Sequence, residues 1–497
     1  MSRSRRPVVA VVGGGIAGLA AAWELVAGAG DDHPEVHVVE ADRRVGGKVR
    51  SAEFGGRTVD LAADAFLARR PEAVELCEEL GITDRLVPVG ASGASILARG
   101  RLRPMPGGLA LGVPTRWLSL ARSGILSPSE LLRVATDLVK PHLGTGEGFG
   151  DRSIGELVGE RLGRPVVERL ADPLIGGIHA GSVDGLSAAA IFPVLIAVSH
   201  QSGSFMHRLG RTQAAQAAAP TTLEDGTPSP VFWSLRHGTA SLVGHLDDQL
   251  RRRGVTVRTG TPVEALTRVD DGAGGRWCLA LGGGAGTLEV DGVVVAVPAA
   301  RAAPLLVAHA PQAAGLLSTV ESASVAVVTL TVPDRAVGRP LVGTGFLVPR
   351  TTRVDGRPAL MTGCTYLGRK WPHLARPGEE LLRVSVGRDG DDRADGLGDE
   401  ELVASAFGEL ATVLDISGPT LDSRVTRWSD AFPQYRPGHL LRVGTIERAV
   451  AELPGLALAG AAYRGVGIPA CIGSGRAAAR SVLGSLVVGP GPGQRTG

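Results

Sequence analysis

The chain contains 497 residues, of which 44% are hydrophobic, and its 52 basic and 50 acidic residues leave a net charge of +2. That length favours two or three domains over one core, and the balanced charge gives no indication of a nucleic-acid or strongly acidic partner. The four cysteines are widely spread and form no zinc or disulfide pattern, so they indicate a reducing cytoplasm.

The first predicted elements form a strand–helix–strand unit. Val8 to Val12 is an apolar run typical of a buried parallel strand, "IAGLAAAWELVAGAG" predicts a helix from Ile16 to Gly30, and "EVHVVE" predicts a strand that ends at Glu40. The basic N-terminus superficially resembles a signal peptide. The apolar run is too short for one, and no small-residue cleavage site precedes "DDHPE", so we expect no secretion signal.

The turn between this strand and helix carries a nucleotide-binding fingerprint. Gly13, Gly15 and Gly18 fit the pattern G-x-G-x-x-G, and Glu40 ends the following strand. Gly13 permits the tight turn, Gly15 lets the backbone approach a pyrophosphate, and Gly18 lets the helix pack on the strand. The helix directs its positive end at the phosphates, and Glu40 can accept a hydrogen bond from a ribose hydroxyl. The alternative is a glycine-rich turn without a ligand, which the strand–helix–strand context disfavours.

A second glycine motif follows the second strand. "ADRRVGGKVRS" places Arg43, Gly46, Gly47, Lys48 and Ser51 in the pattern R-x-x-G-G-K-x-x-S. The glycine pair lets another backbone segment pass beside the cofactor, and a basic residue at this place can meet a phosphate group. NAD-dependent dehydrogenases do not continue in this way, so the combination favours FAD.

The middle of the chain is predicted to be mainly helical. A helix begins at Pro71 and ends near Gly81, and residues 127–216 read as helices that open with a serine cap. Residues 213–230 are polar and proline-rich and predict a surface loop. The apolar run 186–198 is too short to span a bilayer and contains a proline, so we expect a cytoplasmic protein that at most touches the inner face of the cell membrane.

Strand patterns return in the second half of the chain. Residues 254–269 alternate as strands do, residues 276–298 predict a hairpin and an apolar strand, and "ASVAVVTLTV" predicts a further strand within the mixed region 317–437. Close to the C-terminus, "LALAG" predicts the last strand.

A glycine-rich turn, "YRGVGIPACIGSG", connects this last strand to a helix of small residues. Gly465 and Gly467 would let the backbone pass close to a flavin ring, and Pro469 suits the start of a helix, where its missing N–H costs nothing. The helix would direct its positive end at the flavin, where negative charge collects on reduction. Gly473 and Gly475 would allow the helix to pack tightly.

Four further stretches accompany these motifs. They are "DLAADAFLARRPEAVELCEELGI" (60–82), "ADPLIGGIHAGSVDGLSAAAIFP" (171–193), "LRHGTASLV" (235–243) and "WSDAFPQYRPGH" (428–439). Together with the glycine motifs they resemble the bacterial porphyrinogen oxidases, a branch of the flavoprotein family that also contains amine oxidases and phytoene desaturases. Two positions depart from that pattern, with Ala62-Ala63 in place of Gly-Pro and Ala470 in place of Asp. The Gly-Ile-Pro-x-Cys-Ile form resembles the monoderm-type enzymes, which act on coproporphyrinogen III.

The resemblance implies an α/β fold with a Rossmann-like, discontinuous FAD-binding domain, a mixed-sheet substrate domain and a helical insertion. We expect the FAD-binding domain in residues 1–90, 232–308 and 440–490. The helical insertion, which would line the substrate cavity and offer a surface to a membrane, is expected in 91–231, the substrate-binding sheet in 309–439, and a disordered tail in 491–497.

The resemblance also implies FAD contacts from each part of that domain, and it implies no metal ligand and no catalytic side chain. The predicted cofactor-binding residues are Gly13, Gly14, Gly15, Ile16, Ala17, Gly18, Glu40, Ala41, Lys48, Ala62, Ala63, Asp64, Ala65, Val263, Trp428, Val466, Gly467 and Ile468. Cations should meet the substrate propionates, and the candidates are Arg69, Arg70, Arg101, Arg103 and Arg208.

The implied reaction is the oxygen-dependent, six-electron oxidation of coproporphyrinogen III to coproporphyrin III in heme biosynthesis, with hydrogen peroxide as by-product. Flavin N5 accepts hydride from a methine-bridge carbon, and pyrrole protons can leave to water, so no side-chain base is required. The implied partners are the porphyrinogen, dioxygen, a peripheral membrane contact and a metal chelatase that receives the product; no nucleic acid is expected.

Three alternatives stay open at this point. The chain could be a protoporphyrinogen IX oxidase, an amine oxidase or desaturase on the same fold, or a non-redox protein that escorts prenylated GTPases. Amine oxidases of the family surround the amine with aromatic side chains, and this chain has only three tyrosines. We interpret His179 as a satisfied polar residue, Tyr435 as a hydrogen-bonded core residue and Cys471 as a small buried residue.

Overall fold

The computed structural model describes residues 5–27, 33–139, 150–216, 229–269 and 275–487. Its helices are α1 (Ile16–Ala27), α2 (Pro71–Glu79), α3 (Trp117–Ser123), α4 (Pro128–Ala135), α5 (Ile154–Leu162), α6 (Arg164–Val166), α7 (Gly177–His179), α8 (Ala188–Ile191), α9 (Pro193–Ser199), α10 (Phe205–Gln216), α11 (Ala240–Arg252), α12 (Ala299–Leu306), α13 (Pro311–Ser318), α14 (Leu367–Lys370), α15 (Asp399–Leu414), α16 (His439–Ala451) and α17 (Ile468–Val487). A π-helical segment, Val167–Gly176, joins α6 to α7.

The strands fall into one parallel sheet, one large mixed sheet and several small ribbons. They are β1 (Val8–Val12), β2 (Glu35–Val39), β3 (Ser51–Phe54), β4 (Arg57–Asp60), β5 (Phe66–Leu67), β6 (Leu86–Pro88), β7 (Ser95–Ala98), β8 (Arg101–Pro104), β9 (Leu109–Ala110), β10 (Val113–Pro114), β11 (Phe232–Leu235), β12 (Thr256–Arg258), β13 (Val263–Val269), β14 (Arg276–Leu281), β15 (Gly286–Val290), β16 (Gly292–Val295), β17 (Ser322–Pro333), β18 (Gly345–Leu347), β19 (Arg353–Val354), β20 (Arg357–Pro358), β21 (Met361–Tyr366), β22 (Glu379–Val386), β23 (Asp422–Pro433) and β24 (Leu456–Leu458).

The parallel sheet brings together strands from distant parts of the chain. Its order is β12-β2-β1-β16-β24, and every neighbouring pair is parallel. Strand β1 lies at its centre, and its last four residues are buried because helices cover both faces. Helices α1 and α17 pack on one face, where the core contains Val9, Val11 and Leu19. The predicted βαβ unit is therefore confirmed.

The second large sheet has seven strands in the order β23-β17-β22-β21-β18-β7-β8. Helix α15 covers one face of it, and strands β22 and β17 contribute Leu382, Val384, Val328 and Leu330 to the shared core. Strands β7 and β8, which lie within the range predicted for the helical insertion, join this sheet at its edge; β7 pairs in parallel with β18. Sequence pattern alone does not reveal this long-range pairing.

A separate helical core packs beside the mixed sheet and includes Ile96 of β7. Helices α3 to α10 surround buried residues such as Leu120, Ile154 and Leu195, which confirms the mainly helical prediction for this stretch. Ser127 begins α4 with a capping box, in which its hydroxyl accepts from Glu130 N and its N–H donates to the Glu130 carboxylate. Within the described residues, no helix combines the length and apolar character needed to cross a membrane.

Three predicted features lie wholly or partly outside the described residues. The first helix ends at Ala27 where the description stops, so its expected extension to Gly30 falls outside. The predicted loop 213–230 begins in α10, and its residues 217–228 fall outside. The same holds for the predicted tail, 491–497.

Candidate functional site

The glycine turn after β1 shows which of its glycines the fold itself requires. Gly13 has a φ of +105°, and a Cβ there would lie 2.7 Å from Ala296 O. At Gly18 a Cβ would lie 1.9 Å from Gly13 O, so both glycines are needed for close packing, as predicted. At Gly15 an added Cβ would have no heavy atom within 4 Å. The backbone at Gly15 therefore borders open space that the protein leaves unfilled.

Glu40 lies at the carboxyl end of β2, directly beside this turn. One of its carboxylate oxygens accepts a hydrogen bond from Gly14 N at 2.6 Å, and the other accepts from Asp42 N at 2.8 Å. The strand residue Val263 follows a loop that bonds to the same segment, since Thr261 N donates to Glu40 O at 2.9 Å. The predicted ribose-binding residue thus also fixes the shape of the glycine turn, and Ala41 next to it is exposed.

The second glycine motif crosses beside the first. Gly46 N donates to Gly14 O at 2.7 Å, and a Cβ at Gly47, where φ is +54°, would lie 3.3 Å from the Gly15 Cα. Lys48 follows, and its ammonium donates to Ala431 O. Desolvation of the ammonium lowers the pKa of Lys48, although two neighbouring acidic groups act in the opposite direction. Two glycine segments and one cation therefore line the same space.

Residues 60–65 form a loop that is held in place by side chains from the part of the chain that forms the mixed sheet. Asp64 is buried and accepts hydrogen bonds from Lys370 Nζ at 2.9 Å and from Trp371 Nε1 at 3.0 Å, and it forms an ion pair with Arg383 at 3.0 Å. Burial opposes ionisation of Asp64, but the two cations outweigh it and hold the pKa of this carboxyl well below its usual range. Trp428 Nε1 also supports the loop, because it donates to Leu61 O at 3.1 Å.

A second buried carboxylate, Asp60, anchors the start of this loop. Its Oδ1 accepts from Ser51 Oγ at 2.6 Å and from both Thr239 N and Thr239 Oγ1 at 2.8 Å. Burial raises the pKa of Asp60 to about 6, although these hydrogen bonds act against the shift. The loop thus presents Ala62, Ala63 and Ala65 at or near its surface while both aspartates are buried.

The C-terminal turn is held by a tyrosine. The Tyr435 hydroxyl donates to Ala461 O at 2.5 Å and accepts from Gly465 N at 2.9 Å, so this tyrosine is hydrogen-bonded in the core, as predicted. Gly465 has a φ of +153°, and a Cβ there would lie 2.6 Å from the Ala470 Cβ. By contrast, a Cβ at Gly467 would meet only Pro469 Cδ, at 3.8 Å. Gly467 is therefore exposed and free of any packing requirement, like Gly15.

The helix after this turn packs closely on α1. A Cβ at Gly475 would lie 2.0 Å from Ala17 O, which confirms the predicted role of this glycine. Pro469 is the second residue of α17, also as predicted. Cys471 is buried in the first turn, and burial raises the pKa of its thiol to about 11, so the residue is a neutral packing group.

These placements fit a dinucleotide such as FAD. Positions Gly15 and Gly467 lack a side chain without any intramolecular reason, and an approaching ligand supplies that reason. The N-terminus of α1 offers its free N–H groups and positive dipole end at the first of them. Within the described ranges no group of His, Cys, Asp and Glu side chains has metal-binding geometry.

The structure does not gather the predicted propionate ligands at one place. Arg69 and Arg70 are exposed before α2, Arg101 and Arg103 lie on the sheet edge β8, and Arg208 bonds to Gln201 in the helical part. Arg70 lines a cleft of about 560 Å³ between α16 and α17.

His179 differs from its prediction. It is half-buried, its Nδ1 has no hydrogen-bond partner among the described residues, and desolvation lowers the pKa of the imidazole to about 4. It is therefore a neutral residue whose polar atom is unsatisfied, beside the ring of Tyr435 at 6.4 Å between centroids.

Sequence reasoning missed the residues of the mixed sheet that hold the 60–65 loop. Lys370, Trp371 and Arg383 reach Asp64 across more than 300 positions of the chain, and no local motif marks them. The only local signal was the acidic residue itself, which the prediction placed at the cofactor.

Comparisons with known proteins agree with this geometry. Residues 16–483 match a family model described as flavin containing amine oxidoreductase. The chain is 34% identical over 486 residues to the coproporphyrinogen III oxidase of Bacillus subtilis, covering 97% of this chain and 99% of that protein. It is 31% identical over 508 residues to the protoporphyrinogen oxidase of Bos taurus, covering 96% and 98%. A crystal structure described as that of a candidate protoporphyrinogen oxidase from Exiguobacterium superposes with a TM-score of 0.82 at 31% identity, covering 97% and 99%.

Proposed function

The chain belongs to the flavin-containing amine oxidoreductases and, within them, to the family of bacterial coproporphyrinogen III oxidases and protoporphyrinogen oxidases, and from this membership we propose that it oxidises coproporphyrinogen III to coproporphyrin III. It is an FAD-dependent oxidoreductase of heme biosynthesis. The observation that carries the proposal is the open backbone at Gly15 and Gly467, which leaves a place for the cofactor directly before the first residues of α1 and α17.

The predicted site residues have distinct tasks in this proposal. When bound, FAD supplies the hydride acceptor for each two-electron step. Gly15 and the N-terminus of α1 hold the pyrophosphate, Glu40 holds the adenosine ribose, and Lys48 lies at the opening between the glycine motifs. The division of the chain into the six ranges given above is proposed with them.

The C-terminal turn and the 60–65 loop form the walls of the reaction site in this proposal. Tyr435 fixes the turn through two hydrogen bonds, so Val466, Gly467 and Ile468 keep a constant shape beside the flavin. Asp64, locked by two cations, keeps the opposite loop in place. Both walls are held by buried bonds, which would keep them in a fixed geometry around the reacting groups.

No side chain is assigned as a base. The porphyrinogen loses six electrons and six protons in three steps, and pyrrole N–H protons can pass directly to water. Three molecules of dioxygen accept the electrons and leave as three molecules of hydrogen peroxide, so the proposed reaction balances with no other oxidant.

A peripheral membrane contact and a cytoplasmic location belong to the same proposal. The helical part exposes Trp117 and Leu118 on α3, between the cationic Arg116 and Arg122, and such a mixture suits an anionic lipid surface. Leu138 on the neighbouring segment is 69% exposed. Coproporphyrin would then pass from this enzyme to a metal chelatase.

A simple assay tests the proposal. Purified protein should be yellow and, in air, should convert coproporphyrinogen III to a fluorescent porphyrin with three peroxides formed for each product. Protoporphyrinogen IX and a simple primary amine are the matched comparisons. Faster turnover of protoporphyrinogen IX would favour the first alternative, and oxidation of the amine without porphyrin fluorescence would favour the second.

A further inference from the structure

One buried arginine outside the cofactor site makes no side-chain hydrogen bond to any residue that the structure describes. Arg388 follows β22 after a turn at Gly387, where φ is +86°, and its side chain is only 8% exposed. Its guanidinium makes no hydrogen bond to the described residues, its Nε is fully buried, and the nearest carboxylate oxygen, on Asp391, is 4.0 Å away. A buried cation in this state is costly unless an anion joins it.

A second guanidinium stands beside it. Arg350 donates to Asp389 O at 3.1 Å and to Gly181 O at 3.3 Å, which fixes its direction. Its Nε lies 3.8 Å from an oxygen of Asp172 and forms no hydrogen bond. Burial and the nearby charge of Arg350 together lower the pKa of Arg388 to about 10, so Arg388 is still a cation at neutral pH.

The other acidic groups of this cluster are already engaged. Asp391 pairs with Arg393 at 2.6 Å, and Asp389 forms two parallel bonds with Arg436 at 3.0 Å. Asp172 faces Arg350 at 3.8 Å, and its other oxygen accepts a hydrogen bond from Val183 N. Arg436 also pairs with Glu321, so four arginines of this cluster face four carboxylates, and Arg388 differs from the others because its guanidinium makes no hydrogen bond to any described residue.

The arginine cluster lies beside the turn that contains α7. Asp389 N donates to Ala180 O at 2.7 Å, so the arginines sit against the turn that contains α7. The same turn exposes Ile178, whose side chain is 48% accessible. An exposed apolar group and a buried guanidinium without a hydrogen bond, both at the junction of sheet and helical core, suit a macrocycle that carries carboxylates on flexible arms.

We infer that Arg388, assisted by Arg350, binds a propionate carboxylate of the porphyrinogen. This inference rests on the proposed function and names the cations that the sequence left undetermined. The planar guanidinium can meet a carboxylate in two parallel hydrogen bonds. The ligand class is an alkyl carboxylate joined to a large apolar ring, and the ring rather than the ion pair supplies most of the affinity.

The test measures binding of the product, without turnover. FAD-loaded protein is titrated with coproporphyrin III and, separately, with its tetramethyl ester, and porphyrin fluorescence reports binding. In Arg388→Leu the affinity for the acid should fall roughly 10- to 100-fold, since a charge-assisted bond is lost. Affinity for the ester should stay unchanged. Arg353→Leu, which removes an exposed charge from the hairpin β19–β20, is the matched control and should change neither.

Two results would overturn the inference. The Arg388→Leu variant could bind the acid as the wild type does, or it could lose acid and ester equally, which would make Arg388 a structural residue. If the leucine variant fails to fold, Arg388→Lys replaces it: loss of the two-bond geometry should weaken the acid several-fold and leave the ester unaffected, and wild-type behaviour with both ligands would refute the inference. A wild-type protein that oxidises no porphyrinogen refutes instead the proposed function.

Discussion

Replacing Gly15 by alanine tests whether this glycine is needed for the stability of the fold or for binding of the cofactor. In the protein alone the new Cβ meets no heavy atom within 4 Å, and the backbone has no positive φ at this position. The apoprotein should therefore keep its stability or gain about 0.4–1 kcal/mol, because the unfolded chain loses freedom. The same Cβ enters the space where the pyrophosphate would lie.

The expected loss of FAD affinity follows from this overlap. Inserting a methyl group into a closely packed contact costs about 1–3 kcal/mol, which corresponds to roughly 5- to 150-fold weaker binding. The control is Gly18→Ala, whose Cβ would lie 1.9 Å from Gly13 O. That variant should lower the melting temperature of the apoprotein, because the helix must move away from the turn.

Two measurements on each variant decide the matter. Flavin absorbance after denaturation gives FAD per chain, and circular dichroism gives the melting temperature of the apoprotein. The reasoning predicts that Gly15→Ala loses flavin with an unchanged melting temperature, as does Gly467→Ala, where only Pro469 lies near the new Cβ. Full flavin content in Gly15→Ala would refute it, because the pyrophosphate would then not approach this backbone.

Three further variants test buried bonds. Asp137→Asn removes the carboxylate that neutralises Arg161 at 2.8 Å and should lower the free energy of unfolding by about 3 kcal/mol or more, whereas Asp247→Asn, on a helix surface, should change it by less than about 0.5 kcal/mol in the same denaturant titration. Asp60 holds its proton to about pH 6 in the folded protein, so its contribution to stability is present at acid pH and is lost as the pH rises through about 6. The melting temperature of Asp60→Asn should therefore rise relative to wild type between about pH 4 and 7, and a difference independent of pH would contradict this. Tyr435→Phe leaves two backbone groups of the C-terminal turn without their hydroxyl and should cost about 1–3 kcal/mol with reduced flavin content; unchanged flavin content would show that the turn needs no such support.

The elements near the N-terminus could be predicted because their signals are local. The apolar strand β1 and the glycines before α1 lie within one short segment whose pattern predicts a strand, a turn and a helix. Glu40 follows the next strand, as the pattern requires. The same holds for Gly475, because α17 approaches α1 too closely at this position for any side chain to fit.

The supports of the site could not be predicted, since they depend on distant pairing. Lys370 and Arg383 contact Asp64 from α14 and β22, which are more than 300 residues away in the chain, and neither residue stands in a recognisable motif. Arg388 and Arg350 come from two turns of the same sheet, and the buried Nε atoms without a hydrogen bond are recognised only in three dimensions. Arg69, which the sequence suggests as a propionate ligand, is exposed and does not belong to this cluster.

The most direct test of the account is an anaerobic mixing experiment. Oxidised, FAD-loaded protein is combined with coproporphyrinogen III in the absence of dioxygen, and the visible absorbance of the flavin is followed. The account predicts that the flavin absorbance bleaches as porphyrin fluorescence rises, and that air restores it. Flavin that keeps its absorbance with excess coproporphyrinogen III, while another donor such as an amine bleaches it, would contradict the proposed function.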